Sequence, residues 1–240
     1  MLFRSITDVL SARSLLASAY KAMPQQIFQL SVLSDDFCPS QHLNKDMSLQ
    51  GLYNWREVEM TELAGTLWAG YYAVIAEVNA LLARIDAVVT LDETEKLEKM
   101  RIVCEAKALK SWCYFDLLRL FAPRYEGNEN KDGIILKKRV ELDFLPRSSV
   151  KECVTEIRTL LNEARNVDNT QKNVYWLSDK AVAYLQVELE LYAGNYPAVL
   201  ELTKDLETEY PESVLGADVY KYLWSSENSD ARIFGKYQLE

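Results

Sequence analysis

Histidine is almost missing from this chain. His42 stands alone, and the four cysteines show no C-x-x-C or other ligand spacing, so no metal site is expected. Cys104 and Cys113 fall on an apolar helical stretch, where a free thiol behaves as a small hydrophobe. Positive charge is short as well: 27 Lys and Arg against 36 Asp and Glu leave a net charge of −9. Such a balance excludes nucleic acid as a partner, because phosphates need a basic surface. Eight glycines and six prolines are few for 240 residues and argue for long elements with few tight turns. No run of about 18 uncharged apolar residues occurs, so no segment is expected to cross a membrane. A signal peptide, with its charged, apolar and small-residue regions, is not found. Nor is any G-x-S-x-G, H-E-x-x-H, P-loop or dinucleotide fingerprint. The chain is therefore expected to have no catalytic residue and no cofactor.

What is present is helical periodicity in a chain long enough to bury a full core. Residues 97–121, LEKMRIVCEAKALKSWCYFDLLRLF, answer residues 68–85, WAGYYAVIAEVNALLARI. In the earlier stretch apolar residues recur at Leu63, Leu67, Tyr71, Ile75, Val78, Leu82, Ile85 and Val89, in steps of three and four. In the later one Leu97, Met100, Cys104, Ala108, Cys113, Leu117 and Leu120 repeat that spacing. Ile102, Ala106, Leu109 and Trp112 add an adjacent stripe, and so wide an arc implies more than one packing neighbour. Asn79 and Glu105 each occupy an apolar position. A buried polar group without a partner costs about 1–3 kcal/mol, so both should be paired, and holding two helices in register is the expected role. A catalytic acid is the sharper reading of Glu105, but no base or nucleophile is spaced to work with it.

Residues 6–23 read as a first helix, begun near Thr7 or Asp8 and stopped by Pro24. Residues 26–33 extend it or start another piece. Periodicity fails from 34 to about 59, which reads as a long loop. Residues 133–144, GIILKKRVELDF, alone have strand character and suggest an extended crossing or a small hairpin. Ser149 and Glu152 form a capping box, and Ser178 caps the next helix with Leu177 placed to staple onto Val182. Residues 178–206 hold two helices broken at Gly194-Asn195, the pattern of one tetratricopeptide-type (TPR) repeat, whose hairpins stack because none covers its own apolar face. Residues 214–227 suggest a further helix, and 231–234 a short strand. The fold expected is all-α: a TPR-like array of helical hairpins with long loops and at most a minor β-hairpin, in a single domain over 1–240.

Several stretches, in order, carry a resemblance: W-x-x-Y-Y-x-x-I-x-x-V-N-x-L-L at 68–82, C-E-A-K-A-L-K-S-W-C-Y-F-D-L-L-R-L-F at 104–121, L-P-R-S-S-V-K-E-C-V-T-E-I at 145–157, and A-V-A-Y-L-Q-V-E-L-E-L-Y-A-G-N-Y at 181–196. Together with the acidic S-D-D at 34–36, they resemble the SusD/RagB family. That resemblance implies a non-enzymatic surface lipoprotein of the outer membrane that captures a glycan or other nutrient for a SusC-type TonB-dependent transporter. It also implies membrane association only through a lipid anchor. The family begins with a lipoprotein signal and continues with a second, loop-rich region, so the chain is expected to be the N-terminal, helical portion, a fragment or a naturally short relative.

In a sugar binder, aromatic rings stack on pyranose faces while Asn, Asp and Arg bond the hydroxyls. Tyr53, Asn54, Trp55 and Arg56 supply that chemistry in one tetrapeptide, in a stretch that in the family lies near the ligand-facing surface. Phe37 is a candidate second aromatic wall. Two readings of Trp55 stand: the anchor of a glycan-facing surface, or a side chain that pins the loop onto the helices. For the chain as a whole, a TPR-like scaffold binding other proteins is the alternative.

Overall fold

The structure, a computed structural model, describes residues 6–38, 40, 47–141, 143–165, 175–209, 216 and 233. Among these the chain is all-α, with eight helices: α1 (Val9–Lys21), α2 (Ile27–Leu33), α3 (Met47–Tyr53), α4 (Glu57–Ile85), α5 (Glu93–Phe121), α6 (Val150–Ala164), α7 (Asp179–Tyr192) and α8 (Tyr196–Glu209). Most starts are written locally. The Asp8 carboxylate accepts from the Ser11 N–H at 2.7 Å while the Ser11 hydroxyl accepts from the Asp8 N–H. Asp92 caps α5, Ser149 and Glu152 box the start of α6, and Ser178 caps α7. Each satisfies amide donors that a helix start leaves without partners. Gly194, at φ +72, makes the α7–α8 turn in the left-handed region that favours glycine.

α4 and α5 form the centre. Val74, Ile75, Val78 and Leu81 of α4 and Ile102, Leu109, Cys113 and Leu117 of α5 are buried in one core. The small residues Ala12 and Ala19 help seat α1 in the same core, which also takes Val154, Ile157 and Leu161 of α6 and Leu189 of α7. By length and composition α4 is apolar enough to cross a membrane, although Glu77 keeps its apolar run short of 18 uncharged residues. Its packing against α1 and α5 accounts for that composition: it is a core helix.

One reading of the chain needs correction. The stretch from 34 to 59 is not one long loop, since α3 forms within it and α4 begins at Glu57. The seven residues of α3 are too few for periodicity to register, and packing stabilises such short helices more than propensity does. Leu49 and Leu52 close a small cluster with Val32, flanked by Met60 and Leu63. Of the two alternatives for residues 133–144, the described residues make the extended crossing. Its pairing with the chain before α6 is a single bridge between Asp132 and Ser149. Segments 214–227 and 231–234, expected as helix and strand, lie outside the described residues apart from Gly216 and Ile233.

Side chains fasten that crossing to α4 and α5. The Tyr72 hydroxyl donates to the Ile135 carbonyl and accepts from its N–H, both at 2.9 Å. Tyr114 donates to the Lys137 carbonyl at 2.7 Å, and Asn79 donates to the same carbonyl at 2.9 Å. At the return, Arg147 donates to the Phe121 and Gly133 carbonyls, each at 2.9 Å, with its guanidinium 5.1 Å over the Trp68 ring. Backbone bonds between Gly133, Ile134 and Ser148 hold the start of the crossing, and beyond them Ile135 and Lys137 find their partners in side chains.

Candidate functional site

α2 and α3 end in the same way. After α2 the Asp36 N–H bonds back to the Ser31 carbonyl at 2.9 Å, with Asp35 at φ +66. After α3 the Arg56 N–H bonds back to the Gly51 carbonyl at 2.9 Å, with Trp55 at φ +55. This six-residue closure puts its penultimate residue in the left-handed region, where Gly or Asn is usual. Aspartate tolerates that backbone; a bulky aromatic there is a genuine outlier. Trp55 also leaves 61 % of its surface exposed.

Between these ends lies an open groove of about 460 Å³. Ile27, Leu30 and Leu33 of α2 and Leu120 at the end of α5 give it an apolar lining, Ser31, Ser34 and Asp36 a polar one, and Trp55 its aromatic wall. An apolar surface with a few placed polar groups is the usual composition of a small-ligand site. A second groove, lined by Lys138, Lys151, Glu152 and Glu156 among others, has no aromatic ring, and its Lys138–Glu156 pair is closed at 2.8 Å.

Of the five residues expected to bind ligand, Trp55 is the one that lines the groove. Phe37 is 54 % exposed beside Asp36, with its ring 5.8 Å from Phe28. Asn54 spends its amide on the Gln50 carbonyl at 2.8 Å and so closes the end of α3. Tyr53 packs against the Val32, Leu49 and Leu52 cluster, and its hydroxyl pKa is raised, chiefly by a hydrogen bond with Cys38. Arg56 is exposed at the start of α4. The α2 side of the groove escapes sequence reading, because Ile27, Leu30 and Leu33 look like an ordinary core stripe.

Asn79 and Glu105 are both buried, with different partners. Asn79 accepts from the Lys110 ammonium at 2.7 Å and donates to the crossing, so it joins α4, α5 and the extended segment. Glu105 accepts from Arg13 at 2.8 Å and ties α5 to α1. Burial pushes the Glu105 carboxyl up, against the pull of the Arg13 guanidinium. Lys110 is buried with Asn79 and Glu105, flanked at helical spacing by Ala106, Cys113 and Tyr114, a signal the sequence does carry. It is 4 % exposed, and burial lowers its pKa to about 8. No group of three or more His, Cys, Asp or Glu that could hold a metal ion occurs among the described residues.

The model of the SusD-like family described as starch-binding and associating with the outer membrane matches residues 4–188. The chain belongs to this family. No curated protein matches it in sequence. Solved structures share the SusD-like fold at low identity. A protein from Bacteroides vulgatus described as sugar-binding is 20 % identical with a TM-score of 0.75, over 96 % of this chain and 54 % of that one. A SusD superfamily protein from Bacteroides fragilis is 22 % identical with a TM-score of 0.73, over 98 % and 56 %. A laminarin-binding SusD-like protein is 19 % identical with a TM-score of 0.67, over 91 % and 48 %. The chain thus spans about half the length of the structures it matches.

Proposed function

We propose that this SusD-like chain belongs to a non-enzymatic glycan-binding protein that captures oligosaccharide at the outer-membrane surface and passes it to a SusC-type TonB-dependent transporter. Residues 1–240 would be its single helical domain, and a lipid anchor its tie to the membrane. The observation that carries the reading is Trp55: an exposed indole held in left-handed backbone at the wall of an open groove. Strained backbone clusters where a side chain must be presented for function, and a flat ring beside Ser31, Ser34 and Asp36 suits the two faces of a pyranose. Phe37 would extend the aromatic surface, and Arg56 would reach hydroxyls beyond the groove. Tyr53 and Asn54 would act indirectly by holding the turn. Both the family description and the laminarin-binding relative support a glycan as ligand.

The test is retention of the whole protein on neutral glycans, laminarin and starch among them, together with co-purification from its own membrane. Glycan retention and a co-purifying SusC-type β-barrel support the proposal. Absence of retention on every glycan would sink it. The alternative, a protein-binding scaffold, draws on the α7–α8 hairpin, where Tyr196 and Leu200 are exposed. It predicts a soluble protein partner and no transporter.

A further inference from the structure

The charge of the groove bears on which glycans it admits, given the glycan-binding reading on which this inference rests. Asp36 is the one charged side chain lining it among the described residues. Its position is fixed from two directions. The Asp36 N–H is held by the Ser31 carbonyl at 2.9 Å through the left-handed turn at Asp35, and its Oδ2 accepts from the Ser34 hydroxyl at 2.9 Å. The carboxylate is therefore a built part of the lining and cannot swing away without losing the Ser34 bond. Among the described residues no basic side chain lines the groove: Arg119, next to Leu120 in the chain, is engaged by Asp116 at 2.5 Å and Glu188 at 3.6 Å, and Arg56, next to Trp55, is exposed at the start of α4 outside the lining. The net charge of −9 adds repulsion of the same sign at longer range.

We propose that this groove selects glycans by charge, excluding polyanionic chains, and that Asp36 is the residue that sets the exclusion. A hydroxyl-bearing ligand gains an acceptor in Asp36, whereas a uronate or sulfate brought to the same place meets a fixed like charge. Specificity of this kind comes from a repulsive element as much as from an attractive one.

The test uses the whole protein and matched ligands, laminarin or starch and the same polymers oxidised at C6, which differ only in a carboxylate for a primary hydroxyl. Wild type should be retained by the neutral polymer and markedly less by its oxidised form. Asp36→Asn should narrow that ratio about threefold, the effect of like charges about 6 Å apart in water. Glu207→Gln, which changes the net charge equally at an exposed position on α8, should leave the ratio unchanged. Equal binding of both polymers by wild type, or a ratio that Asp36→Asn and Glu207→Gln shift alike, would overturn the assignment while leaving the glycan reading intact. Retention of neither polymer form, with any glycan tried, would end both.

Discussion

Arg13 on α1 and Glu105 on α5, 92 residues apart in sequence, meet at 2.8 Å with the carboxylate only 3 % exposed. The same guanidinium reaches Glu98 at 2.5 Å and lies 4.9 Å over the Trp176 ring. Removing Glu105 takes from the part-buried Arg13 one of its two carboxylates and leaves it Glu98 alone. Glu105→Leu should therefore lower unfolding stability by about 1–3 kcal/mol in denaturant titration. Asn79→Leu should cost about 1–3 kcal/mol by taking the acceptor from the buried Lys110 ammonium, while the Lys137 carbonyl keeps Tyr114. Because the two sites share no partner, the double variant should lose the sum of the singles to within about 0.5 kcal/mol. A markedly smaller loss would mean that one network joins them.

Lys110 makes stability depend on pH in an unusual direction. Its folded pKa, about 8, lies below the ordinary lysine value of 10.5, because burial disfavours the charged form. Glu156 pulls that value up and Lys138 pushes it down. Below about pH 8 both folded and unfolded chains carry the proton, and the cost of burying the ammonium is present in full. Above it the folded chain has released a proton that the unfolded chain still holds, so stability rises with pH, by up to about 3 kcal/mol at pH 10.5. Burial also raises the Tyr72 pKa, to about 12, and tyrosine ionisation opposes the trend at higher pH. Urea midpoints between pH 7.5 and 9.5 should climb for wild type relative to Lys110→Met. Parallel curves would show that Lys110 is solvated.

Local chemistry made much of this fold readable. Asp8, Ser149 and Ser178 announce helix starts because a cap needs only residues three positions apart. The α4–α5 pair is legible because 29-residue helices repeat their pattern many times. The groove is not, because the ends of α2, α3 and α5 build it from residues as distant as Ile27 and Leu120. Trp55 was readable as an aromatic in an unpatterned stretch. Its left-handed backbone was not, since tryptophan carries no signal for that conformation.

Gly133 is a packing requirement at the start of the extended crossing. A Cβ there would stand 2.8 Å from the Cys153 sulfur, 3.0 Å from the Ser148 carbonyl oxygen and 3.2 Å from the Ser149 carbonyl carbon. Two of those neighbours are backbone, fixed by the Gly133 N–H bond to the Ser148 carbonyl at 2.7 Å. Gly133→Ala should cost about 1–3 kcal/mol as overpacking. Cys153→Ala in the same chain should recover only part of that loss, as it clears the sulfur alone. Complete recovery would locate the whole conflict at the thiol.

The two readings of Trp55 separate on a substitution by glycine. At φ +55 a tryptophan pays roughly 1–2 kcal/mol of backbone strain that glycine does not. With 61 % of its surface exposed, it has little burial to lose in exchange. Trp55→Gly should therefore hold or raise the thermal midpoint, by about 2–4 °C if about 1 kcal/mol is released. Trp55→Ala should hold the midpoint nearly unchanged, since alanine keeps most of the strain. Both variants should weaken glycan binding about tenfold or more, as loss of an aromatic anchor commonly does. A side chain that only pins the turn gives the opposite pattern, with lower midpoints in both variants and any loss of binding following the loss of fold. Stability gained while binding is lost would mean that the strained turn serves the ligand. A fall in both would assign Trp55 to the fold.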